Sequence, residues 1–185
     1  MRIVGGRLRG RRLEAPPGTT TRPTIDRVRE SLFNIIESRY RDRLLGGRVG
    51  DLYAGTGALG LEALSRGAAH ATFIEQSPAA YAVLQRNIAG LGVEAAATPI
   101  RGDALAALAR AQPFDILFLD PPYGGEVASR TLAAITTYKC IKPGGIIILE
   151  SGRADMVDAP AGLETVLSRD YGSTRIAILT EAGSR

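Results

Sequence analysis

Cysteine, histidine and tryptophan are scarce in this chain of 185 residues, which contains one cysteine, one histidine and no tryptophan. A single cysteine, Cys140, cannot form an intrachain disulfide, and with only His70 beside it the chain lacks the ligands of a zinc site. We therefore expect no metal, a buried thiol at Cys140 and no Ser-His-Asp chemistry. His70 falls between a helix pattern and a strand pattern, which predicts a loop position.

Long apolar runs are also missing. No run approaches the roughly 18 uninterrupted apolar residues of a membrane-spanning helix, and the arginine-rich start lacks the apolar segment of a signal peptide. The sequence therefore predicts a cytoplasmic protein that does not associate with membranes. With 45% hydrophobic residues, the chain is expected to form one compact domain with a sizeable core.

Positive charge is concentrated near the start of the chain. Residues 1–43 carry eleven arginines against five acidic residues, whereas the net charge of the whole chain is only +4. Arginines interleaved with glycines suit a phosphate backbone, so we predict a flexible basic arm over residues 1–21, only partly ordered without substrate. A solvated tail without a partner would have the same composition. The candidate RNA-binding residues are Arg7, Arg9, Arg11, Arg12 and Arg22.

Strand and helix patterns alternate from residue 22 onwards, which predicts a single α/β domain over residues 22–185 with a mostly parallel sheet. Two late strand patterns, 163–168 and 174–179, predict an antiparallel hairpin at one edge of that sheet. The other predicted strands are 49–53, 71–75, one within 95–101, 114–119 and 146–149, and the predicted helices are 24–40, one after Gly57, 78–91, a short one after Ala104, and 126–138.

Local signals refine these boundaries. Thr24 is a plausible N-cap of the first helix, and Ser77 with the proline that follows it predicts the start of another. Residues 142–145, Lys-Pro-Gly-Gly, predict a turn before a strand. Arg29 is expected to lie off the apolar stripe of its helix, at the surface or along the route to a site.

The most informative stretch runs from Asp51 to Gly60. Gly55, Gly57 and Gly60 separate a short apolar strand from an apolar helix, which predicts a tight turn whose backbone N–H groups can approach a ligand. With Glu75 at the end of the next strand, this spacing formally fits a dinucleotide-binding turn. Asp51, four residues before the first glycine, does not belong to that pattern.

Four acidic residues fall near predicted strand ends, where open parallel sheets bind their ligands. Asp51, Glu75, Asp103 and Asp120 would therefore border one cleft, which suits a cation better than an anionic pyrophosphate. A nicotinamide-dependent dehydrogenase stays an alternative, although it would lack an obvious proton donor beyond His70.

The sequence Asp120-Pro121-Pro122-Tyr123 follows the most apolar predicted strand. The exocyclic amine of a base is a poor nucleophile because its lone pair is delocalised into the ring. The Asp120 carboxylate and the Pro121 carbonyl offer two acceptors for its hydrogens, which would favour the pyramidal amine. Pro122 stiffens the loop, and Tyr123 offers a face on which a base can stack. The tetrapeptide predicts methyl transfer to a base amine.

Together with residues 22–34, Arg-Pro-Thr-Ile-Asp-Arg-Val-Arg-Glu-Ser-Leu-Phe-Asn, these two motifs resemble the bacterial 16S ribosomal RNA guanine-N2 methyltransferases (RsmD-like). The resemblance extends over nearly the whole chain. It implies a Rossmann-like class I methyltransferase fold with a seven-stranded sheet and helices on both faces, S-adenosylmethionine as cofactor, and a guanine of 16S rRNA in the assembling 30S subunit as target. We expect a monomer.

The resemblance also implies roles for single residues. The turn after Asp51 would hold the methionine part of the cofactor, Glu75 would accept hydrogen bonds from the ribose hydroxyls, and Asp103 with the Ala104 backbone would contact the adenine. Arg22 and Thr24 would belong to a segment that closes over the methionine end. The candidate cofactor-binding residues are Arg22, Thr24, Asp51, Tyr53, Ala54, Gly55, Thr56, Gly57, Glu75, Gln76, Asp103, Ala104 and Asp120.

Two further alternatives remain. An adenine-N6 methyltransferase acting on DNA or RNA can carry the same tetrapeptide, although this chain is too short for a separate DNA-recognition domain. A non-catalytic RNA-binding protein could also use this sheet, but the intact motif from Asp120 to Tyr123 argues against an inactive site.

Overall fold

A seven-stranded sheet with helices on both faces forms the body of the molecule. The computed structural model describes residues 1–15, 23–122 and 125–183, without the side chains of residues 23–25. The strands are β1 (Arg48–Leu52), β2 (His70–Glu75), β3 (Ala97–Arg101), β4 (Phe114–Leu119), β5 (Ile141–Gly152), β6 (Leu163–Tyr171) and β7 (Thr174–Glu181), and the helices are α1 (Pro23–Arg39), α2 (Arg41–Leu44), α3 (Ala58–Ser65), α4 (Pro78–Leu91), α5 (Ala104–Leu108) and α6 (Gly125–Tyr138).

The strands lie in the order β3-β2-β1-β4-β5-β7-β6. The pairs from β3 to β5 are parallel, whereas β7 is antiparallel to both β5 and β6. The chain runs outward from β1 to β3 and then returns to β4 on the other side of β1. This reversal of strand order leaves a crevice at the carboxyl ends of β1 and β4, where such sheets bind ligands. The predicted fold class and the C-terminal hairpin are confirmed.

The core has two layers, one on each face of the sheet. In β4, Ile116 and Phe118 belong to the cluster that includes Phe33 of α1, whereas Leu117 and Leu119 belong to the cluster that includes Leu132 of α6. A strand that is apolar at successive positions is covered on both faces, because its side chains alternate between them. This pattern explains why the bounds of β4 were predicted correctly.

Three local predictions are corrected. The first helix begins at Pro23, so Thr24 lies in its first turn and is not the N-cap. His70 is the first residue of β2, not a loop residue, and its ring is 2.9 Å from the Thr98 hydroxyl. Residues 142–145 form a bulge within β5, because Phe114 pairs with Ile141 but two residues later the pairing has advanced to Ile146.

Other local predictions are confirmed. The Ser77 hydroxyl accepts a hydrogen bond from Ala80 N, as an N-cap does. Cys140 is fully buried and its thiol lies 3.5 Å from the Leu108 carbonyl oxygen. The third strand contains Pro99, which is tolerated because β3 lies at the edge of the sheet. No helix among the described residues is both long enough and apolar enough to cross a bilayer.

The first 15 residues are packed against the domain, so the expectation of a flexible arm is wrong for them. Ile3, Leu8 and Leu13 are buried. Backbone hydrogen bonds fold the segment back on itself, from Ile3 N to Arg11 O and from Leu13 N to Met1 O. Three apolar side chains spaced five residues apart follow no strand or helix period, yet they bury enough surface to hold the segment. The predicted boundary at residues 21 and 22 lies outside the described residues.

A buried ionic network attaches this segment to α1 and α3. Arg29 is only 4% exposed, so it is not at the surface, but it lines a cavity at the carboxyl ends of the central strands, which agrees with its alternative place along the route to a site. Its guanidinium donates to the Asp26 carboxylate at 2.9 Å and lies 3.7 Å from Glu62. The Glu62 carboxylate also accepts from Val4 N at 2.8 Å and from Arg66 at 2.7 Å. Charges are buried here because each has a partner of opposite sign.

Candidate active site

Two cavities open at the carboxyl ends of the central strands. The larger cavity, of about 960 Å³, is bordered by α1, the turn after β1, the ends of β4 and β5, and the turn between β6 and β7. The smaller cavity, of about 810 Å³, is bordered by the end of β2 and the first turns of α5 and α6. Tyr53, Asp120 and Pro122 line both cavities, so the predicted motifs meet at one place.

The predicted cofactor-binding residues divide between the two cavities. Gly57 faces neither; it packs inward against Leu84. Arg22 lies outside the described residues, as does the side chain of Thr24. The predicted residues that line the larger cavity are Asp51, Tyr53, Ala54, Gly55, Thr56 and Asp120, and those that line the smaller one are Tyr53, Glu75, Gln76, Asp103, Ala104 and Asp120.

The three glycines of the turn serve different purposes. A Cβ on Gly60 would lie 2.3 Å from the Phe73 ring, so this glycine permits close packing of α3 on β2. Gly57 has φ +82° and would bring a Cβ within 2.5 Å of Leu84. Gly55, with φ +53°, has no atom within 4 Å of such a Cβ. Its backbone therefore faces open cavity, where a ligand can approach it closely.

Asp51 lies beneath this turn. It is 2% exposed, and its carboxylate accepts a hydrogen bond from Gly60 N at 2.9 Å in the first turn of α3. Burial raises the pKa of Asp51 to about 7, the Gly60 N–H partly opposes the rise, and the charges of Asp120 and Glu75 add to it. The side chain thus holds the start of α3 and adds negative character to the larger cavity.

Glu75 connects the end of β2 to the glycine turn. One carboxylate oxygen accepts from Gly55 N at 2.7 Å, and the other accepts from Ser77 N at 2.7 Å. A carboxylate has about four acceptor positions, so each oxygen can accept one further hydrogen bond from a ligand. Glu75 is therefore oriented before any ligand arrives.

Asp103 is the N-cap of α5, where its carboxylate accepts from Ala106 N at 2.9 Å. The capping bond uses one oxygen, and the exposed side chain lines the smaller cavity beside Ala104. Capping and ligand contact are compatible for this residue, because the second carboxylate oxygen remains available.

Tyr53 lies where β1 passes into the glycine turn. Its φ of +81° is in the left-handed region, which is costly for a side chain of this size and is often found at functional sites. Its hydroxyl is 2.6 Å from the Thr131 hydroxyl of α6, and burial raises the pKa of the phenol. The side chain is held at the border between the two cavities.

Asp120 follows β4 directly, and Pro121 and Pro122 line the larger cavity beside it. The Asp120 side chain keeps an exposed surface towards the cavities, yet the surrounding protein raises its pKa to about 6 through desolvation. The predicted stacking residue, Tyr123, lies outside the described residues.

Glu150 was missed by the reasoning from sequence. It lies near the carboxyl end of β5 and lines the larger cavity. Leu119 of β4 pairs with Leu149 of β5, so Asp120 and Glu150 come next to each other at the ends of neighbouring strands. Burial, and then the charge of Asp120, raise the pKa of Glu150 to about 7. An acidic residue directly after a predicted apolar strand was the available signal, because Asp120 was recognised in the same position.

The arginines proposed to contact RNA lie on the packed N-terminal segment. Arg7, Arg9, Arg11 and Arg12 are exposed, and Arg11 donates to the Gly90 carbonyl at 2.6 Å. Met1, at the start of the same segment, lines the larger cavity. This basic surface is therefore joined to the wall of the cavity.

The chain is similar to known methyltransferases along its length. A family model described as Conserved hypothetical protein 95 matches residues 1–180. The Escherichia coli K12 protein named Ribosomal RNA small subunit methyltransferase D is 39% identical, over 82% of this chain and 74% of the relative. YlbH of Bacillus subtilis, described as a candidate rRNA methyltransferase, is 38% identical over 99% of this chain and 100% of the relative.

The fold is also similar to solved structures. That of yhhF from Escherichia coli, described as a candidate methyltransferase, superposes with a TM-score of 0.86 at 34% identity. The superposition covers 98% of this chain and 97% of that chain.

Proposed function

The chain belongs to the Conserved hypothetical protein 95 family, and from that premise we propose that it transfers a methyl group from S-adenosylmethionine to the N2 amine of a guanine in 16S rRNA. The observation that carries the proposal is that Gly55 and Asp120 line one cavity. A donor bound at the glycine turn and an acceptor base held at Asp120 would then share one cavity, so that the methyl group can pass directly between them.

The two cavities suit S-adenosylmethionine. The ligand supplies an electrophilic methyl group on a positively charged sulfur. Asp51 and Asp120 make the larger cavity acidic, which attracts a cation and repels a pyrophosphate. The open space above Gly55 holds the methionine part of the cofactor. Glu75 accepts hydrogen bonds from the ribose hydroxyls, and Asp103 lies beside the adenine. The dehydrogenase alternative loses support for the same electrostatic reason.

Asp120 and Pro121 act on the target amine. The carboxylate and the carbonyl each accept a hydrogen bond from one N–H of the amine, which orients the nitrogen lone pair and favours the pyramidal form. Pro122 restricts the backbone that presents these acceptors. The amine becomes acidic only after it is alkylated, so its proton leaves late, to Asp120 or to water. Tyr123 stacks on the base in this proposal.

Guanine in small-subunit RNA is favoured over the adenine-N6 alternative. The Escherichia coli relative is named a ribosomal RNA small subunit methyltransferase, and the described residues form one sheet without a separate recognition domain. In the same proposal the enzyme is a cytoplasmic monomer that needs no metal and acts on the assembling 30S subunit.

Mapping of methylated nucleosides tests the proposal. 16S rRNA from cells with and without the gene is digested and analysed by mass spectrometry, and one N2-methylguanosine is expected to disappear with the gene. The purified protein with S-adenosylmethionine should restore it on 30S particles from the deficient cells. The proposal fails if the lost modification is N6-methyladenosine, or if no nucleoside changes.

A further inference from the structure

The larger cavity contains two neighbouring carboxylates, those of Asp120 and Glu150, that accept no hydrogen bond from the described residues. Asp51 accepts from Gly60 N, and Asp155 accepts from Gly152 N at 2.9 Å. Among the described residues, no hydrogen-bond donor contributes to the environment of Asp120 or of Glu150. Both side chains face the cavity, so a ligand can reach their acceptor positions.

The sheet fixes how these two carboxylates lie. Asp120 and Glu150 each follow a residue of the Leu119–Leu149 pair, and parallel strands are about 4.8 Å apart. Ile176 of β7 pairs with Glu150 on its other side and also lines the cavity, so an apolar surface lies next to the carboxylate. The pair therefore offers two acceptors side by side, above a partly apolar wall.

Only one of the four RNA bases has a ring N–H donor next to an exocyclic amine. Guanine presents N1–H beside its N2 amine, whereas adenine and cytosine have an unprotonated ring nitrogen beside theirs, and uracil has no amine. An enzyme that takes a base out of its stack reads it by hydrogen bonds to this edge. Two adjacent carboxylates are complementary to two adjacent donors.

On the basis of the proposed function, we propose that the Glu150 carboxylate accepts the N1–H of the target guanine while Asp120 holds the N2 amine. Glu150 thereby selects guanine over a base whose ring nitrogen is an acceptor. Adenine placed with its amine at Asp120 would direct a lone pair at the Glu150 carboxylate, which is repulsive. Two incoming N–H groups also relieve the repulsion between the two carboxylates.

The other charged and titratable groups that line the cavity are the Met1 amino group, Arg29, Asp51, Tyr53, Asp155 and Tyr171. Arg29 of α1 is paired with Asp26, and the Tyr171 hydroxyl is 2.8 Å from that of Ser31. Asp51 and Asp155 hold backbone N–H groups, as described above. Asp51 has a pKa of about 7 and also titrates in this range. The part of the pH response that changes in Glu150→Gln is therefore assigned to the Asp120 and Glu150 pair.

The test combines a base analogue with a conservative variant. 16S rRNA with guanine or 2-aminopurine at the mapped nucleotide is prepared by splinted ligation and assembled into 30S particles. 2-Aminopurine keeps the amine but has an unprotonated N1. For Glu150→Gln we expect kcat/KM on guanine to fall about tenfold, because a hydrogen bond to a charged acceptor becomes one to a neutral amide oxygen. We expect kcat/KM on 2-aminopurine to rise, because the repulsion between the carboxylate and its N1 lone pair is removed.

Two further measurements separate this role from a structural one. Calorimetry should give a Kd for S-adenosylmethionine within about threefold of wild type in Glu150→Gln and Glu150→Asp, which shows that both variants fold. The rise of the rate of methyl transfer to guanine with pH should occur at lower pH in Glu150→Gln, because only Asp120 then needs to be ionised. Glu164→Gln, at the far end of β6, should change none of these values.

The possible outcomes are distinct. Equal losses on guanine and 2-aminopurine, or no loss on either, overturn the role of Glu150 and leave the proposed function intact. An unchanged rise of the rate with pH also overturns it. If the wild-type protein methylates no guanine of 16S rRNA, the proposed function fails, and the role of Glu150 fails with it.

Discussion

In the proposed function, Asp120 is the side chain on which methyl transfer depends most directly. Asp120→Ala removes one of the two acceptors for the target amine, and we expect kcat to fall on the order of 100-fold or more, as when an active site loses one oriented hydrogen-bond partner. The affinity for S-adenosylmethionine should fall much less. Single-turnover transfer assays and calorimetry measure the two effects separately, and retained turnover would remove the acceptor role.

The same carboxyl group predicts a pH dependence. Its pKa is raised to about 6, so Asp120 is mostly protonated at pH 5 and mostly ionised at pH 7. A protonated carboxyl loses acceptor capacity, and the single-turnover rate should therefore rise from pH 5. Because Glu150, with a pKa of about 7, must also be ionised to accept N1–H, the rate should level off only near pH 8. A rate that is flat between pH 5 and pH 8 would contradict this, once cofactor saturation has been verified at each pH.

Asp51 predicts a pH dependence of stability with the opposite sign. Its pKa of about 7 in the folded protein lies above the ordinary value of 3.8, so between these pH values the folded form holds a proton that the unfolded form has lost. Stability should fall as pH rises through this window. Asp51→Asn cannot ionise, and at pH 8 it should be more stable than wild type, by at most about 4 kcal/mol.

Urea unfolding at pH 4 and pH 8 measures the effect of Asp51→Asn. The gain should nearly vanish at pH 4, where wild type also holds a neutral carboxyl, and the asparagine oxygen can still accept from Gly60 N. Asp158→Asn, at an exposed position, serves as the control and should leave stability unchanged at both pH values. A larger gain in stability at pH 4 than at pH 8 would contradict a raised pKa of Asp51 in the folded protein.

The junction of β1 and α3 depends on a glycine that no larger residue can replace. Gly60→Ala places a methyl group 2.3 Å from Phe73, and we expect a loss of about 1–3 kcal/mol through overpacking. Gly90 gives a matched control, because it lies within α4 with no atom near an added Cβ. Gly90→Ala should stabilise by about 0.5–1 kcal/mol. Denaturant unfolding compares the two, and equal effects would refute the packing argument.

Elements with a regular pattern could be predicted from the sequence, and those without one could not. β4 is apolar at every position but one and was placed correctly, and the Ser77 cap fixed the start of α4. The packing of residues 1–15 depends on Ile3, Leu8 and Leu13, which show no period. The hydrogen-bond partners of this segment are distant in sequence: the Ser65 hydroxyl that accepts from Leu8 N is 57 residues away, and the Gly90 carbonyl that accepts from Arg11 is 79 residues away.

The candidate site divides in the same way. Asp120 belongs to a motif with its own chemistry and could be found from local sequence. Glu150 belongs to none, and its place beside Asp120 follows only from the pairing of β4 with β5. The sequence left Arg29 open between the surface and the route to a site, because its partner Glu62 lies in another helix. Long-range pairs of this kind are not encoded in a local pattern.

At the scale of the whole molecule, the exposed arginines of the first segment predict how RNA is held. The triple variant Arg7→Gln, Arg9→Gln and Arg12→Gln should bind 30S particles more weakly. The slope of log Kd against the logarithm of the salt concentration should fall by up to about 2, because each phosphate contact of single-stranded RNA contributes about 0.7 to that slope. Cofactor affinity should not change. Filter binding at several salt concentrations measures the slope.

A second triple variant controls for the loss of charge alone. Arg41, Arg110 and Lys139 are exposed and lie just before the amino ends of β1, β4 and β5, on the side of the sheet away from the cavities. Their replacement by glutamine should leave the salt slope nearly unchanged. Equal slopes in the two triple variants would show that the first segment has no special role.

The attachment of residues 1–15 through Glu62 to α3 has a consequence for substrate choice. The arginine-bearing surface and the glycine turn at the start of α3 belong to one body, so neither can shift to suit a different RNA. If the arginines of this surface bind RNA as proposed, an RNA is methylated only when its own three-dimensional path spans the interval between that surface and the cavity. Discrimination among the many guanines of a ribosome would then rest on the curvature of the folded nucleic acid, with the neighbouring bases left unread.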